Sequence, residues 1–268
     1  MNKISAVIKY IFLSLISFIS IFPFVWMIIG ATNTSTEITK GRIFPGSELI
    51  NNFTKLLEMV DLPLVLWNSA KVAILTTLLS LLIASMAGYG FELYRHKTRE
   101  KIYNFMLLTM MVPFAALMIP LFRIFAKANM LDSHWAVIVP SIASIFVIFF
   151  FRQNTKSFPV ELVQAARVDG LNEFQIFFYI YMPTMKSTYA AASIIVFMGA
   201  WNNFLWPLII LQSQGKKTIT LVISSLSSAY FPDFGVIMVA IIIATLPTVL
   251  MFFIMQKRFV EGMIGSIK

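Results

Sequence analysis

The chain has 268 residues, is 59% hydrophobic and 12% charged, and carries a formal net charge of +9. That charge content lies far below the roughly 25% usual in soluble domains, and with a mean hydropathy of +0.83 it excludes an ordinary soluble enzyme. The lack of cysteine excludes a disulfide framework, a thiolate nucleophile and a cysteine metal site, and the basic residues are scattered between apolar runs, which fits orienting loops better than a nucleic-acid surface.

About 20 apolar residues cross hydrocarbon as a helix, and six such spans are predicted in chain order. The first covers about 10–31. Lys3 and Lys9 precede it like the charged start of a signal peptide, but its apolar stretch exceeds the ~7–15 residues of a signal core and no small-x-small cleavage site follows, so a retained helix is expected. The second covers about 64–91, with Lys71 near one end, where its stem is expected to snorkel to the headgroups. The third covers about 102–122 and the fourth, short and containing Pro140, about 135–151. The fifth covers about 188–211 and the sixth about 235–255. Prolines 113, 120, 140, 207 and 247 fall in or at the ends of spans, where neighbouring helices can satisfy the freed carbonyls. The expected fold class is all-α, a polytopic membrane protein forming a single transmembrane domain.

An even number of spans puts both termini on one side. That side holds Lys3, Lys9, Arg95, Lys97, Arg99, Lys101, Arg152, Lys156, Arg167, Lys186, Lys257, Arg258 and Lys268. The other holds fewer cations: Lys40, Arg42, Lys55, Arg123, Lys127, Lys216 and Lys217. Excess Lys and Arg mark the cytoplasmic face, so both termini are expected to be cytoplasmic.

No catalytic, cofactor-binding or metal-ligating constellation is found. His96 and His134 lie outside the spans, and there is no HExxH, GxSxG or GxxxxGK[ST] pattern. The predicted spans hold no carboxylate for a proton relay.

The connection 152–186 has helix grammar of its own. Pro159 suits a first turn, Glu161 follows where the helix dipole favours an anion, and 160–168 read as a short helix stopped by Gly170. Asn172 with Gln175 forms a capping box for a second helix carrying Phe174, Phe177, Phe178 and Tyr181, which Pro183 is expected to end. A cytoplasmic helix–turn–helix follows. From the residues alone it either docks a partner or lies on the lipid.

The stretch Glu161-Leu162-Val163-Gln164-Ala165-Ala166-Arg167-Val168-Asp169-Gly170, continuing to Ile180 and Pro183, resembles the EAA loop of ABC importer permeases. Gln164 stands where the family usually has glutamate, and Leu171 where a small residue often follows the glycine. Asn68-Ser69, Trp201-Asn202-Asn203 and Arg258-Phe259-Val260-Glu261-Gly262-Met263 resemble carbohydrate importer permeases, most of all the smaller six-helix member of the maltose-type pair. The resemblance implies a type I importer fold with a second, different permease subunit, a cytoplasmic ATPase dimer and an extracytoplasmic solute-binding protein as partners. It implies that the chain is non-catalytic, needs no cofactor, and forms half of the pathway for a sugar. Glu161, Gln164, Ala165, Ala166, Asp169 and Gly170 would dock the ATPase, with Phe174 and Phe177 packed behind them.

The same resemblance suggests that the loop carrying Lys216, Lys217 and Tyr230 touches the binding protein. On residue chemistry alone, 32–62 and 212–234 read as solvated loops. Asn202 and Asn203 either hydrogen-bond between helices or line a sugar path, and Trp201 and Trp206 either pack or stack on sugar rings. A polyol or glycerol phosphodiester permease shares this architecture. A secondary transporter or channel would want an intramembrane charge, an inverted repeat or a filter loop, and none is found.

Overall fold

The computed structural model describes the backbone of residues 3–264 and the side chains of residues 7–256. The side chains of Lys3 and of 257–268, including the stretch Arg258–Met263, lie outside the described residues. Among the described residues all regular structure is helical. Among the described residues five helical stretches, two of them with a short break, are long and apolar enough to cross a membrane, or six if one bent pair counts as a single span. The chain forms two compact units, one from the residues up to Leu64 with Ile219–Pro247, the other from Val65–Thr218 with the residues from Thr248 on.

In the first unit, α1 (Lys3–Ala31) is exposed along most of its apolar length, as suits a helix whose solvent is lipid or another subunit. The segment expected to be solvated loop is instead folded. Thr34 and Glu37 form a capping box on α2 (Ser35–Thr39), and α3 (Leu49–Met59) buries Asn52 and Leu56 one turn apart. The Asn52 amide donates to the carbonyls of Ala31 at 2.9 Å and Asn33 at 3.0 Å, satisfying groups that the end of α1 leaves open. A polar residue at a buried helix position is what hid α3 from a hydropathy reading.

The second long helix is α4 (Leu62–Leu93). Within the second unit, α5 (Lys97–Thr109) and α6 (Phe114–Lys127) meet at a bend of 102°, where a straight third span was expected. Pro113 is the cause: its ring pushes the preceding residue out of the helical region, and Pro113 itself sits extended at ψ 136° as the cap of α6. The fourth span is also broken, into α7 (His134–Ile142) and α8 (Ile145–Thr155).

After α8 come α9 (Val160–Val168), α10 (Glu173–Gln175), a π-helix (Ile176–Tyr181) and α11 (Met182–Thr184). The fifth span is α12 (Lys186–Trp201) followed, after a break, by α13 (Leu205–Ile210). Back in the first unit, α14 (Ile219–Ser227) buries Ile219, Leu221 and Val222, where solvated loop had been expected. The last helix, α15 (Phe234–Ile264), is capped by Asp233. That carboxylate also accepts from Ser35 Oγ at 2.8 Å and pairs with Lys55 Nζ at 3.3 Å.

One hydrogen bond holds the broken spans together. Pro140 has no N–H, so the Ala136 carbonyl four residues earlier has no partner in its own helix. Trp206 Nε1 donates to it at 2.8 Å, and the indole is fully buried between Phe114 and Phe125. Trp206→Phe keeps an aromatic ring but strands that carbonyl. It should cost about 1–3 kcal/mol, read as a lowered Tm in detergent, and a value unchanged from wild type would show the bond to be idle.

Candidate functional site

The hairpin between α8 and α12 is built from local signals. Pro159 caps α9 at φ −70° with no N–H to lose. At the other end the Leu171 N–H donates to the Ala166 carbonyl at 3.0 Å and the Gly170 N–H to Arg167 at 3.1 Å. This is a Schellman turn, and Gly170 adopts φ +83° with nothing within 4 Å of where a Cβ would stand. The glycine is therefore needed for its conformation and not for space. Asn172 Oδ1 then accepts the Gln175 N–H at 3.0 Å while Gln175 Oε1 accepts the Asn172 N–H at 2.9 Å.

Pro183 does not end the second arm. The helix widens into the π-turn over Ile176–Tyr181 and runs on through Pro183 to a kink at Met185 before α12. A proline ring clashes with the carbonyl four residues back and leaves it without a donor. Lengthening the hydrogen bonds ahead of it, as in Met182 N–H to Phe177 O, is the relief that π geometry provides.

The two alanines divide. Ala166 is buried with Val163 inside the hairpin, against Tyr89, Phe158, Ile176, Phe177, Tyr181 and Met185. Ala165 faces outward with Glu161, Gln164 and Val168, at helical spacing, and Val168 is 89% exposed. Asp169 and Gly170 are exposed as well. Of the residues expected to dock a partner, Ala166 therefore belongs to the hairpin's own core. Of the two phenylalanines expected behind them, Phe177 is buried but Phe174 is not: it stands 69% exposed beside a groove of about 330 Å³ shared with Met86 and Tyr89. Its position follows from the capping box, which puts residue 174 on the outer side of the first turn.

Aromatic packing and a polar clamp fasten the hairpin to α4. Tyr89 packs edge-on against Tyr181, with ring centroids 4.8 Å apart, and against Phe177 at 5.5 Å. Tyr181 OH lies 2.7 Å from Thr155 Oγ1. Glu173 accepts from Arg167 Nε at 2.8 Å and from the Tyr94 hydroxyl, and Arg167 Nη2 reaches the same hydroxyl at 3.0 Å. The Tyr94 hydrogen bond holds the Glu173 carboxyl below its ordinary value against a burial effect that opposes it. Burial, then the Glu173 bond, pushes the Tyr94 phenol up. Both groups thus keep the charge states that make the bond.

A second clamp sits beside it. Arg152, 5% exposed, binds Glu92 at 3.2 Å and Glu100, and lies 3.9 Å over the Tyr103 ring. It joins the ends of α4, α5 and α8. Gly88 allows this approach: a Cβ there would meet Phe151 Cβ at 2.7 Å and the Arg152 backbone nitrogen at 2.8 Å. Arg152 lies 60 residues from Glu92 and 52 from Glu100 in sequence, and only the cluster of opposite charges at span ends hinted at these pairs.

Among the candidate path residues, Trp201 is buried and stacked on Phe197 at 5.8 Å. The exposed Asn202 donates its amide to the Met198 carbonyl at 3.0 Å. Asn203 lines a cavity of about 190 Å³ whose other walls include Thr76, Ser80, Ser141 and Ser144. Hydropathy averaging concealed these hydroxyls, which are scattered singly or, as at Thr76-Thr77, in one pair among apolar neighbours.

The loop at Lys216 is ordered by a residue that the sequence reading did not single out. Asp132, at φ 54°, accepts the N–H groups of Gln212 at 2.9 Å and Ser213 at 3.1 Å and the Ser213 hydroxyl, and pairs with Lys216 at 3.3 Å. The Ser213 hydroxyl is the largest cause holding its carboxyl far below the ordinary range. Asn68 donates to the carbonyls of Gly215 at 2.9 Å and Lys217 at 3.2 Å, which gives the Asn68-Ser69 signature a structural role. Lys71 lines a small cavity with His134 and Lys216. In the first unit Tyr230 is 92% exposed, edge-on to an equally bare Phe231. Among the described residues no group of three or more His, Asp or Glu could hold a metal ion.

A family model described as "Binding-protein-dependent transport system inner membrane component" matches residues 80–265. The chain is similar to the lactose transport system permease protein LacG of Rhizobium radiobacter, at 57% identity over 100% of this chain and 98% of the relative. It is similar to the arabinooligosaccharides transport system permease protein AraQ of Bacillus subtilis, at 35% identity over 96% and 94%. In fold it resembles a chain of a bacterial ABC transporter involved in the import of the acidic polysaccharide alginate, with a TM-score of 0.84 over 96% of this chain and 97% of that one, at 19% identity.

Proposed function

Because this chain belongs to the family of inner-membrane components of binding-protein-dependent transport systems, we propose that it is the permease subunit of an ATP-driven sugar importer and forms half of its translocation pathway. A family of this kind is the membrane part of an importer that works with an ATPase and a solute-binding protein, and is not itself catalytic. Lactose is the cargo that the relative at 57% identity names, and it is the substrate we assign here.

The observation that carries the reading is the outward face of α9. Glu161, Gln164, Ala165 and Val168 present a face with one small side chain at its centre, so a cleft on the ATPase can close on the backbone. Closure of the ATPase dimer around ATP then moves α9 as a rigid body, the switching mode of packed domains, and ATP drives it by binding one state better than the other. The Arg167–Glu173–Tyr94 clamp and the Tyr89–Phe177–Tyr181 cluster pass the displacement to α4.

A second, different permease subunit completes the pathway. The excess of basic residues on their side supports a cytoplasmic location for both termini and α9. In the second unit Lys216 and Lys217, on a loop held by Asp132 and Asn68, and in the first unit the bare pair Tyr230 and Phe231 are the contacts offered to the binding protein.

Proteoliposomes holding both permeases and the ATPase, with binding protein outside, should accumulate lactose only when ATP is enclosed and hydrolysable. Uptake that followed an ion gradient without ATP would overturn the importer reading, and ATP-driven uptake of a sugar other than lactose would correct only the cargo.

A further inference from the structure

Two of the apolar spans are interrupted part-way along their length. Ala143 and Ser144 separate α7 from α8, and residues 202–204 separate α12 from α13. Non-helical backbone at membrane depth is tolerated only where protein buries it or where it lines a water-filled cavity. Here both breaks contribute to one cavity, the 190 Å³ space walled by Ser144 and Ser141 from one break, Asn203 and Gly199 from the other, and Thr76 and Ser80 from α4. It is large enough to hold several waters.

The Ser80 hydroxyl marks it as a site. Ser80 is 0% exposed, one helical turn from Thr76, and its oxygen has no hydrogen-bond partner. A serine in a helix usually returns its proton to the carbonyl four residues back, as Thr77 does to Ala73 at 2.7 Å, so this buried, unpartnered hydroxyl on a residue bordering the cavity is an unmet demand. Ser144 likewise caps α8 without a side-chain hydrogen bond to it. Gly199 leaves the wall recessed, since a Cβ there would meet nothing within 4 Å.

Against an apolar wall that includes Phe146, Val147, Ile195 and Val196, the lining holds four hydroxyls and one amide and carries no charge. It offers donors and acceptors to a neutral, hydroxyl-bearing molecule and no counter-ion to a phosphate or carboxylate. We propose that this cavity is a sugar-binding station within the pathway, in which Ser80, Ser144 and Asn203 exchange hydrogen bonds with the hydroxyls of one sugar ring as it passes. The assignment rests on the sugar-importer reading given above. It also explains why the helices are broken at these points: the freed backbone groups stay wet and available to the ring.

The assembled transporter, reconstituted with its binding protein, tests this with lactose and a set of its mono-deoxy analogues. Wild type should carry at least one analogue about two- to tenfold more slowly than lactose, the worth of one hydrogen bond. Ser80→Ala, which keeps the shape of the wall, should erase that difference. Gly199→Leu, which fills the cavity, should lower lactose uptake severalfold while the same amount of assembled complex is purified. If wild type imports lactose but Ser80→Ala leaves the ranking of analogues intact and Gly199→Leu carries lactose at the wild-type rate, the station is not there, and the importer reading stands. If wild type with ATP takes up no lactose, the substrate reading fails, and this inference fails with it.

Discussion

Ala165→Arg is expected to reduce ATP-driven uptake to background while the protein remains in the membrane at its normal level. Ala165 lies on the exposed face of α9, and arginine is a good helix former, so nothing in the hairpin resists the change. What the change adds is a long charged side chain at the centre of the surface offered to the ATPase, and a buried unpaired charge is among the costliest errors at an interface. Co-purification should show the ATPase lost or uncoupled. Ala166→Arg, one residue on, should behave differently. Its side chain would enter the core formed by Val163, Phe158 and Phe177, so the hairpin itself would open and the membrane level of the protein would fall. Wild-type uptake by Ala165→Arg would show that α9 does not carry the coupling.

Arg152→Ala is the second large effect. Arg152 pairs with Glu100 and shares Glu92 with the exposed Arg95, and the Glu92 side chain is only 8% exposed. Loss of Arg152 leaves the buried Glu92 carboxylate with only the exposed Arg95, so the cost should approach without reaching about 3–5 kcal/mol, that of a buried charge left wholly unpaired. The variant should therefore unfold at markedly lower temperature in detergent. Adding Glu92→Gln to it should restore part of the loss, since the stranded charge is then gone. A double variant no more stable than Arg152→Ala would mean that packing over Tyr103, and not charge, is what Arg152 supplies.

The parts of this structure legible in the sequence are those specified within a few residues. The apolar runs announce membrane helices, and the turn of the hairpin is written in Pro159, Gly170, Asn172 and Gln175, each of which satisfies a backbone group close by. Helix phase was not legible at α9. Val160, Leu162, Val163, Ala165, Ala166 and Val168 put apolar groups on every side, so only the packing of Tyr89 and Phe177 decides that Ala166 turns inward and Ala165 outward. Partners far apart in the chain were hidden for a related reason. Nothing near Arg152 points to Glu92 or Glu100, and nothing near Ser213 points to Asp132.

The bend at Pro113 was visible as a residue but not as a consequence, because a proline in a span can be accommodated straight, kinked or broken. The helices α3 and α14 were missed because long polar or serine-bearing connections between spans look alike whether folded or loose. At α3 the deciding contact is Asn52 on the carbonyls that close α1, a tertiary choice.

The Trp206–Ala136 bond has a mechanical consequence. Because Pro140 frees that carbonyl and the indole claims it, the half-helices α7 and α13 are joined to each other, while α8 and α12 pack together on the far side of the two breaks. The second unit is thus cut by a fault line that runs through the polar cavity. Force arriving through the hairpin reaches α4 and the α8–α12 slab, and the α7–α13 slab is tied to them by two or three unwound residues in each span and by the bonds of Asn68 in α4 to the Gly215–Lys217 loop. Slip along that fault would open and close the cavity without unpacking either slab.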